Sequence, residues 1–455
     1  MKMRLAEIAK ALQVDLTEEW ADVVVTSVSF DTRSLQPGAL FVPLRGEHDG
    51  HEYIKNAISN GAVATLWEEG HEGTPENFPR ITVTDSLAAL QKLAKYYLYK
   101  INPKVVAITG SNGKTTTKDM VAAILGEQFN VKKTHANFNN YIGVPITVLD
   151  MEPNTEVLVI EMGMDHFGEL DGLSRLVEPD IAVITMIGEA HIEFFGTRDK
   201  IADAKMEITH GLKEDGVLIF NGDEPLLTQR VKKLTQETVT FGNRESDNFR
   251  GLNIVSNENK TSFRVSKWPD ENFMIPMIGS YNVNNALAAL SVGDYFRIPV
   301  KLMVKALSSF TLTKNRTEWI RGKQGEKILS DVYNSNPTAA KLVLKAFSEA
   351  KTAGKRIVVL GDMLQLGEHS KEMHAGLAEA IDPQKIKEIF LCGNDMEQLE
   401  EKLKDKFDST QLHWYKTEEK KKLASVLQNE IEPEDLVLLK GSHGIHLEQV
   451  LNDLT

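Results

Sequence analysis

Cysteine is almost missing from this chain: Cys392 is the only one among 455 residues. That excludes an intrachain disulfide and any cysteine-ligated metal cluster, and it fits a reducing compartment. In FLCG the residue reads as a small, buried apolar side chain. Long apolar runs are lacking too. No window approaches the roughly 18 consecutive apolar residues of a membrane helix. The opening MKMRLAEIAKALQVDL reads as a short amphipathic helix without the apolar block of a signal peptide. A cytoplasmic protein with no membrane span is expected. Basic residues are not in excess: 52 Lys and Arg face 65 Asp and Glu, a net charge of −13. Neutralising a phosphate backbone needs a broad basic surface, so nucleic acid is not the expected partner. An anionic substrate must be held by a few local cations. Repeats of 20–50 residues and low-complexity tracts are also lacking.

What remains is an ordinary globular composition, 42% hydrophobic and 26% charged, which excludes disordered, collagen-like and fibrous proteins. The length exceeds the roughly 250–300 residues at which a single core stops growing, so two or three domains are expected. Short β-branched runs recur, each followed by glycine and a helical stretch: KVVAITG (104–110), EVLVIEMG (156–163), DIAVITMIG (180–188) and GVLIFNGD (216–223). Such uninterrupted runs suit strands buried on both faces of a parallel α/β sheet. A second series, KILSDVYN, KRIVVLGDM (355–363), EIFLCGND (388–395) and DLVLLKGS (435–442), predicts a Rossmann-like sheet after residue 320. Between them, residues 239–265 carry the alternation and turn residues of antiparallel strands. The first hundred residues form a further small α/β unit, with the Asn102-Pro103 pair as its boundary. The expected division is 1–102, 103–315 and 316–455.

The segment TGSNGKTTTK (109–118), at the end of a strand and the start of a helix, reads as a phosphate-binding loop. Gly110 and Gly113 permit the backbone angles that turn successive N–H groups of Ser111, Asn112 and their neighbours toward an anion at a helix N-terminus. Lys114 supplies a cation for the β and γ phosphates, and the Thr115 hydroxyl, with Thr116 beside it, can face Mg²⁺. The spacing departs from GxxxxGK[ST], because Ile108 stands five before Gly113. Glu161 closes the run EVLVIE, where a carboxylate at a strand's C-terminal edge faces the ligand crevice; it and His191 in IGEAHIEFFG are candidate Mg²⁺ ligands. Glu193 beside them suits a loop or capping role. Lys205 sits on an amphipathic helix, and on its own would be read as a solvated lysine.

Together these residues identify a family. TGSNGKTTTK, NFNNYIGVP (137–145), EMGMDHFGEL (161–170), IGEAHIEFFG (187–196), DAKMEI (203–208), GSYNVNNALAA (279–289) and KNR (314–316) resemble, in order and spacing, the ATP-dependent Mur ligases of peptidoglycan synthesis. SFDTRSLQPGALFVPLRGEHDGH (29–51), DVYNSNPTAAK (331–341), LGDMLQLGEHS (360–370) and KGSHGIHLEQVL (440–451) resemble the branch that adds D-alanyl-D-alanine to UDP-N-acetylmuramoyl-tripeptide. The resemblance implies three domains: UDP-sugar-binding, central ATP-binding with a mainly parallel sheet, and C-terminal Rossmann-like for the incoming dipeptide. It implies ATP and two Mg²⁺ ions, with Lys114 and Thr115 on the phosphates and metal and Glu161 and His191 as further ligands. Lys205 matches the lysine that becomes a carbamate, which reverses its reading as a surface residue. Asn282 and Asn285 match the adenine contacts, Arg316 the γ-phosphate arginine, and Asp331 the carboxylate near the ribose. Asn137, Asn139 and Asn140 fall in the loop lining the substrate's path, and Asn334 and Asn336, in the Asn-Pro turn after Asp331, are expected among the substrate-binding residues. Ser29, Thr32, Arg33, Asp49 and His51 are expected in the UDP-sugar site, although DTR also permits a turn closed by an internal Asp31–Arg33 pair. A monomer is expected.

Three positions depart from the family pattern. Met186 stands where many relatives have Asn, Tyr281 where the adenine motif often has His, and His443 where the C-terminal motif often has Arg. The last puts an imidazole, a weaker and pH-dependent partner for a carboxylate, where a guanidinium fork would stand. Two other readings stay open: a related amide ligase with a different amine, such as a diamino acid, and a nucleotide switch or transport ATPase that makes no bond.

Overall fold

The computed structural model describes residues 1–73, 77–257, 259–311, 313 and 316–455; Lys314 and Asn315 of the KNR segment lie outside these. The described chain forms two compact units, one of Met1–Ile108, Gln128–Ala182 and Glu207–Gly216, the other of Thr109–Glu127, Val183–Met206 and Val217–Thr455.

In the first unit, strands Ser27–Ser29, Ala39–Phe41, Ala62–Glu68 and Arg80–Val83 form a parallel four-stranded sheet in that order. Leu35, Phe41, Ile54, Ala57 and Trp67 make its core. Helix Ser86–Ile101 starts where the Asp85 carboxylate accepts from Ala88 N at 2.6 Å, and ends on Asn102 at φ 53°. Asn tolerates that left-handed turn, and the following proline forbids helical continuation. Strand Lys104–Thr109 then pairs in parallel with Val157–Glu161, which pairs in parallel with Val131–Lys133. Val157–Glu161 is buried throughout, as its unbroken apolar run predicts.

The second unit carries the helices that matter for chemistry: α1 (Lys114–Leu125), α2 (Arg198–Met206), α3 (Tyr281–Tyr295) and α4 (Pro337–Glu349). Strands Phe249–Ser256, Thr261–Val265 and Trp268–Ile275 are the antiparallel section. Glu237–Gly242 departs from expectation, running parallel to both Val217–Asn221 and Phe249–Ser256. The helix Pro225–Arg230 in the preceding connection makes the step from Val217–Asn221 a crossover rather than a hairpin; the pairing with Phe249–Ser256 is confined to two residue pairs.

Residues beyond 317 form a six-stranded sheet, in order Glu318–Arg321, Lys327–Asp331, Leu436–Lys440, Arg356–Gly361, Glu388–Cys392 and Leu412–Tyr415. Only the first pairing is antiparallel. The four predicted strands are its centre, a Rossmann-like layout. Cys392 is fully buried within it, and burial pushes its thiol up to about 11, which leaves it inert at neutral pH. Among the described residues no helix is long and apolar enough to cross a membrane.

Candidate active site

The phosphate loop joins strand Lys104–Thr109 to α1, and its geometry explains its glycines. Gly110 has φ 149°, and a Cβ there would lie 1.8 Å from Thr185 Oγ1; Gly113, the N-cap of α1, has φ 82°, and a Cβ would lie 2.3 Å from Asn285 Oδ1. Any side chain would push the bend off its neighbours. Ser111 N donates to the Met186 carbonyl at 2.9 Å, and Thr185 Oγ1 to the Asn112 carbonyl at 2.5 Å, so the loop is fixed from the strand end beside it. Met186 meets the loop through its backbone and through its thioether, which accepts from Asn112 Nδ2 at 3.7 Å.

Lys114 Nζ donates to the Gly110 carbonyl at 2.8 Å. Thr115 and Thr116 are buried just behind the bend. Lys205, on α2, is 2% exposed. Burial first, and the positive charge of Lys114 second, hold its amine well below the ordinary lysine range. An uncharged amine is the form that attacks CO₂. His191, at φ 65°, precedes the short helix Ile192–Phe195.

A cavity of about 530 Å³ opens on the loop and takes in Asn112, Gly113, Thr116, Asn282, Asn285, Arg316, Asp331 and Asn334. On α3, Asn285 Nδ2 donates to Asn282 Oδ1 at 3.0 Å, and Thr117 Oγ1 to Asn285 Oδ1 at 3.3 Å, which ties the two asparagines to α1. The same cavity is lined by residues that sequence reasoning did not assign to it: Asp223, Met186, Tyr281 and Lys440. Burial, reinforced by the charge of Asp331, raises the Tyr281 phenol well above its usual range, so it stays neutral. Arg316 lies with its guanidinium 4.0 Å from the centre of the Tyr333 ring, and His443 stacks on Tyr333 at 5.6 Å. The His443 imidazole thus packs on an aromatic face.

The start of α4 meets the phosphate loop directly. Asn336, its N-cap, accepts from Ala339 N at 3.0 Å and exchanges two amide hydrogen bonds with Asn112, at 3.2 and 2.8 Å. Glu189 accepts from Thr338 N at 3.2 Å and from its hydroxyl at 3.0 Å, placing a carboxylate on the positive end of the helix.

In the first unit, Ser29 and Arg33 line a separate cavity of about 460 Å³, with Phe30, Phe138 and Asp150. Arg33 is engaged by Asp31 in the internal pair that DTR permits, at 2.7 to 3.2 Å, and holds that carboxyl below its usual range. Thr32 offers its carbonyl to Asn60 Nδ2 at 2.8 Å. Asn140 Oδ1 accepts from Ile142 N and Gly143 N, Asn139 Nδ2 donates to Glu161 Oε1 at 2.9 Å, and Asn137 is exposed.

Asp49 and His51 lie outside that cavity's lining, in a cluster with His71. Asp49 Oδ1 meets His51 Nδ1 at 2.7 Å and Oδ2 meets His71 Nε2 at 2.9 Å, while the imidazoles stack at 3.9 Å and 14°. The two imidazoles thus share one carboxylate, and their hydrogen bonds, that of His71 first, hold the Asp49 carboxyl well below its usual range. His71 carried no sequence signal, since its partner is 22 residues away. The Asp49 hydrogen bond raises the His71 pKa. The folded state therefore holds this proton more tightly than the unfolded chain. The pairing contributes fully below the ordinary histidine range and is lost as pH rises through the raised value. NMR titration should place His71 above 6.5, and Asp49→Asn should return it to or below the ordinary value; an unchanged titration would remove the cluster.

Three family models match: "Mur ligase family, catalytic domain" over 24–98, "Mur ligase middle domain" over 108–293, and "Mur ligase, glutamate ligase domain" over 315–443. The UDP-N-acetylmuramoyl-tripeptide–D-alanyl-D-alanine ligase of Bacillus subtilis is 41% identical, over all of this chain and 98% of that protein. The protein of that name from Haemophilus influenzae is 32% identical with the same coverage. MurF from Acinetobacter baumannii superposes with a TM-score of 0.87 at 26% identity, over 100% of this chain and 99% of that one. MurF ligase from Thermotoga maritima in complex with ADP gives 0.80 at 28% identity, over 94% and 97%.

Proposed function

The chain belongs to the Mur ligase family and is an ATP-dependent ligase that adds D-alanyl-D-alanine to UDP-N-acetylmuramoyl-tripeptide; we propose how its residues divide that work. The observation that carries the activity is likeness at 41% identity across the whole length of a ligase so named.

A carboxylate does not acylate an amine at neutral pH, because the anion is a poor electrophile and hydroxide a poor leaving group. In the proposed sequence the terminal carboxylate of the tripeptide attacks the γ-phosphorus of ATP, breaking the bond to ADP and forming an acyl phosphate. The dipeptide amine then attacks the acyl carbon, loses a proton, and phosphate departs. Lys114 and Arg316 meet the charge of the transferring group, and the loop N–H groups cradle the phosphates. Stacked on the Tyr333 face, the Arg316 guanidinium keeps its in-plane donors for that charge. Asn282 and Asn285 hold the base and Asp331 the ribose, while Asn334 and Asn336 face the amine. Ser29, Thr32, Arg33, Asp49 and His51 serve the UDP-sugar, with Asn137, Asn139 and Asn140 along its path. The working division is 1–102 for the UDP-sugar, 103–315 for ATP and 316–455 for the dipeptide.

The donors around the loop suit magnesium: a buried threonine hydroxyl, an imidazole, and a buried uncharged amine that CO₂ can turn into an oxygen anion. Thr115, His191 and carbamylated Lys205 would hold it, and the family likeness gives Glu161 the same role. Bound there, Mg²⁺ would neutralise phosphate charge.

The test offers ATP and the UDP-tripeptide with each amine in turn and follows the UDP product by mass. D-Alanyl-D-alanine should give the pentapeptide, with one ADP per amide. Preferred turnover of lysine or diaminopimelate, or ATP hydrolysis without amide, would overturn the assignment.

A further inference from the structure

Lys440 ends the central strand Leu436–Lys440, hydrogen-bonded between Lys327–Asp331 and Arg356–Gly361. It is 1% exposed, yet lines the nucleotide cavity. Its ammonium donates to Asp331 Oδ2 at 2.6 Å and to the Asn334 carbonyl at 2.9 Å. One cation therefore grips both ends of the bend between strand Lys327–Asp331 and α4. The upstream end carries the carboxylate assigned to the ribose; the downstream end carries Asn334 and Asn336, assigned to the amine. Asn336 is also the residue that exchanges amides with Asn112 of the phosphate loop.

A buried ion pair is a weak source of stability, because desolvating both charges offsets most of their attraction; its better-attested use is to fix a registry. Here the registry is between a nucleotide contact and an amine contact. A hydroxyl donating to Asp331 draws on the same carboxylate that Lys440 grips, and any adjustment of Lys440 reaches Asn334 through its second hydrogen bond.

We propose that Lys440 is a positioning residue that couples ATP binding to the setting of residues 331–336, and so to capture of the incoming dipeptide. The inference rests on the ligase reading and deepens it. In the intact chain the KM for D-alanyl-D-alanine should fall about fivefold or more between low and saturating ATP. In Lys440→Met that KM should be raised about tenfold and no longer depend on ATP, with the KM for the UDP-tripeptide unchanged. The variant leaves Asp331 as a buried, unpaired charge, so Lys440→Met/Asp331→Asn, which buries no charge there, serves as the folded control. It should recover the melting temperature but not the ATP dependence. Three results would overturn the proposal: an ATP dependence kept in Lys440→Met, one regained in the double variant, or a loss confined to kcat with every KM unchanged. No amide product from the unsubstituted chain would instead remove the ligase reading, and this inference with it.

Discussion

Lys114→Ala should abolish ATP turnover, with kcat lower by at least about a thousandfold, the scale of losing a charge-bearing donor from a transferring phosphoryl group. In the structure the ammonium rests on the Gly110 carbonyl at 2.8 Å, inside the bend proposed to cradle the phosphates. The contact holds the side chain over the loop until a stronger, doubly charged partner arrives. Because the effect appears as charge develops in the transition state, kcat should fall more than the KM for ATP rises. Stability should change little: alanine favours helix at this first position of α1, and the bend keeps its hydrogen bonds to Met186 and Thr185. Phosphate release measured with both substrates, beside a melting curve, separates loss of chemistry from loss of fold. Near-normal release from a folded variant would remove the phosphate-loop assignment.

The glycine bend between strand and helix was legible because its constraints are local. Two glycines, a lysine and a hydroxyl within six residues mean the same thing wherever they follow a strand, and the positive φ at Gly110 and Gly113 is that meaning in coordinates. The parallel strands were legible for a similar reason, since burial on both faces leaves a continuous apolar run. Direction within a sheet is another matter. Alternation in residues 239–242 records partial burial and is silent on whether the strand was reached by hairpin or crossover, so its parallel pairing was missed.

Long-range polar pairs had no signal at all. Asn112 and Asn336 are 224 residues apart, Glu189 and Thr338 149, Asp331 and Lys440 109. Each member looks like an ordinary polar residue until the fold brings its partner. Lys205 shows the limit most clearly. Its helix looks amphipathic and its lysine solvated, but the chain around α2 buries the amine, and only the family resemblance anticipated that.

That burial sets up the second large effect. Lys205→Ala should lose most activity, about a hundredfold or more on the scale of removing one electrostatic stabiliser from the active site. It should regain part of it when a short carboxylic acid is supplied. The acid can occupy the space vacated by the side chain and place an oxygen anion where a carbamate on Lys205 would lie. A plain buried lysine with a packing role would not be rescued in this way. Stability gives an independent readout. In buffer freed of CO₂, the wild-type folded state resists protonating this amine, whereas the unfolded chain takes the proton up near pH 10.5, the ordinary lysine value. Wild-type stability should therefore fall as pH drops from that value toward the depressed one, and level off below it; the alanine variant should lack this slope. Dissolved bicarbonate should reduce the slope, because a carbamylated nitrogen no longer titrates as an amine. Unchanged activity in the unrescued variant, or identical pH–stability slopes for both proteins, would show that the amine is neither shielded nor modified.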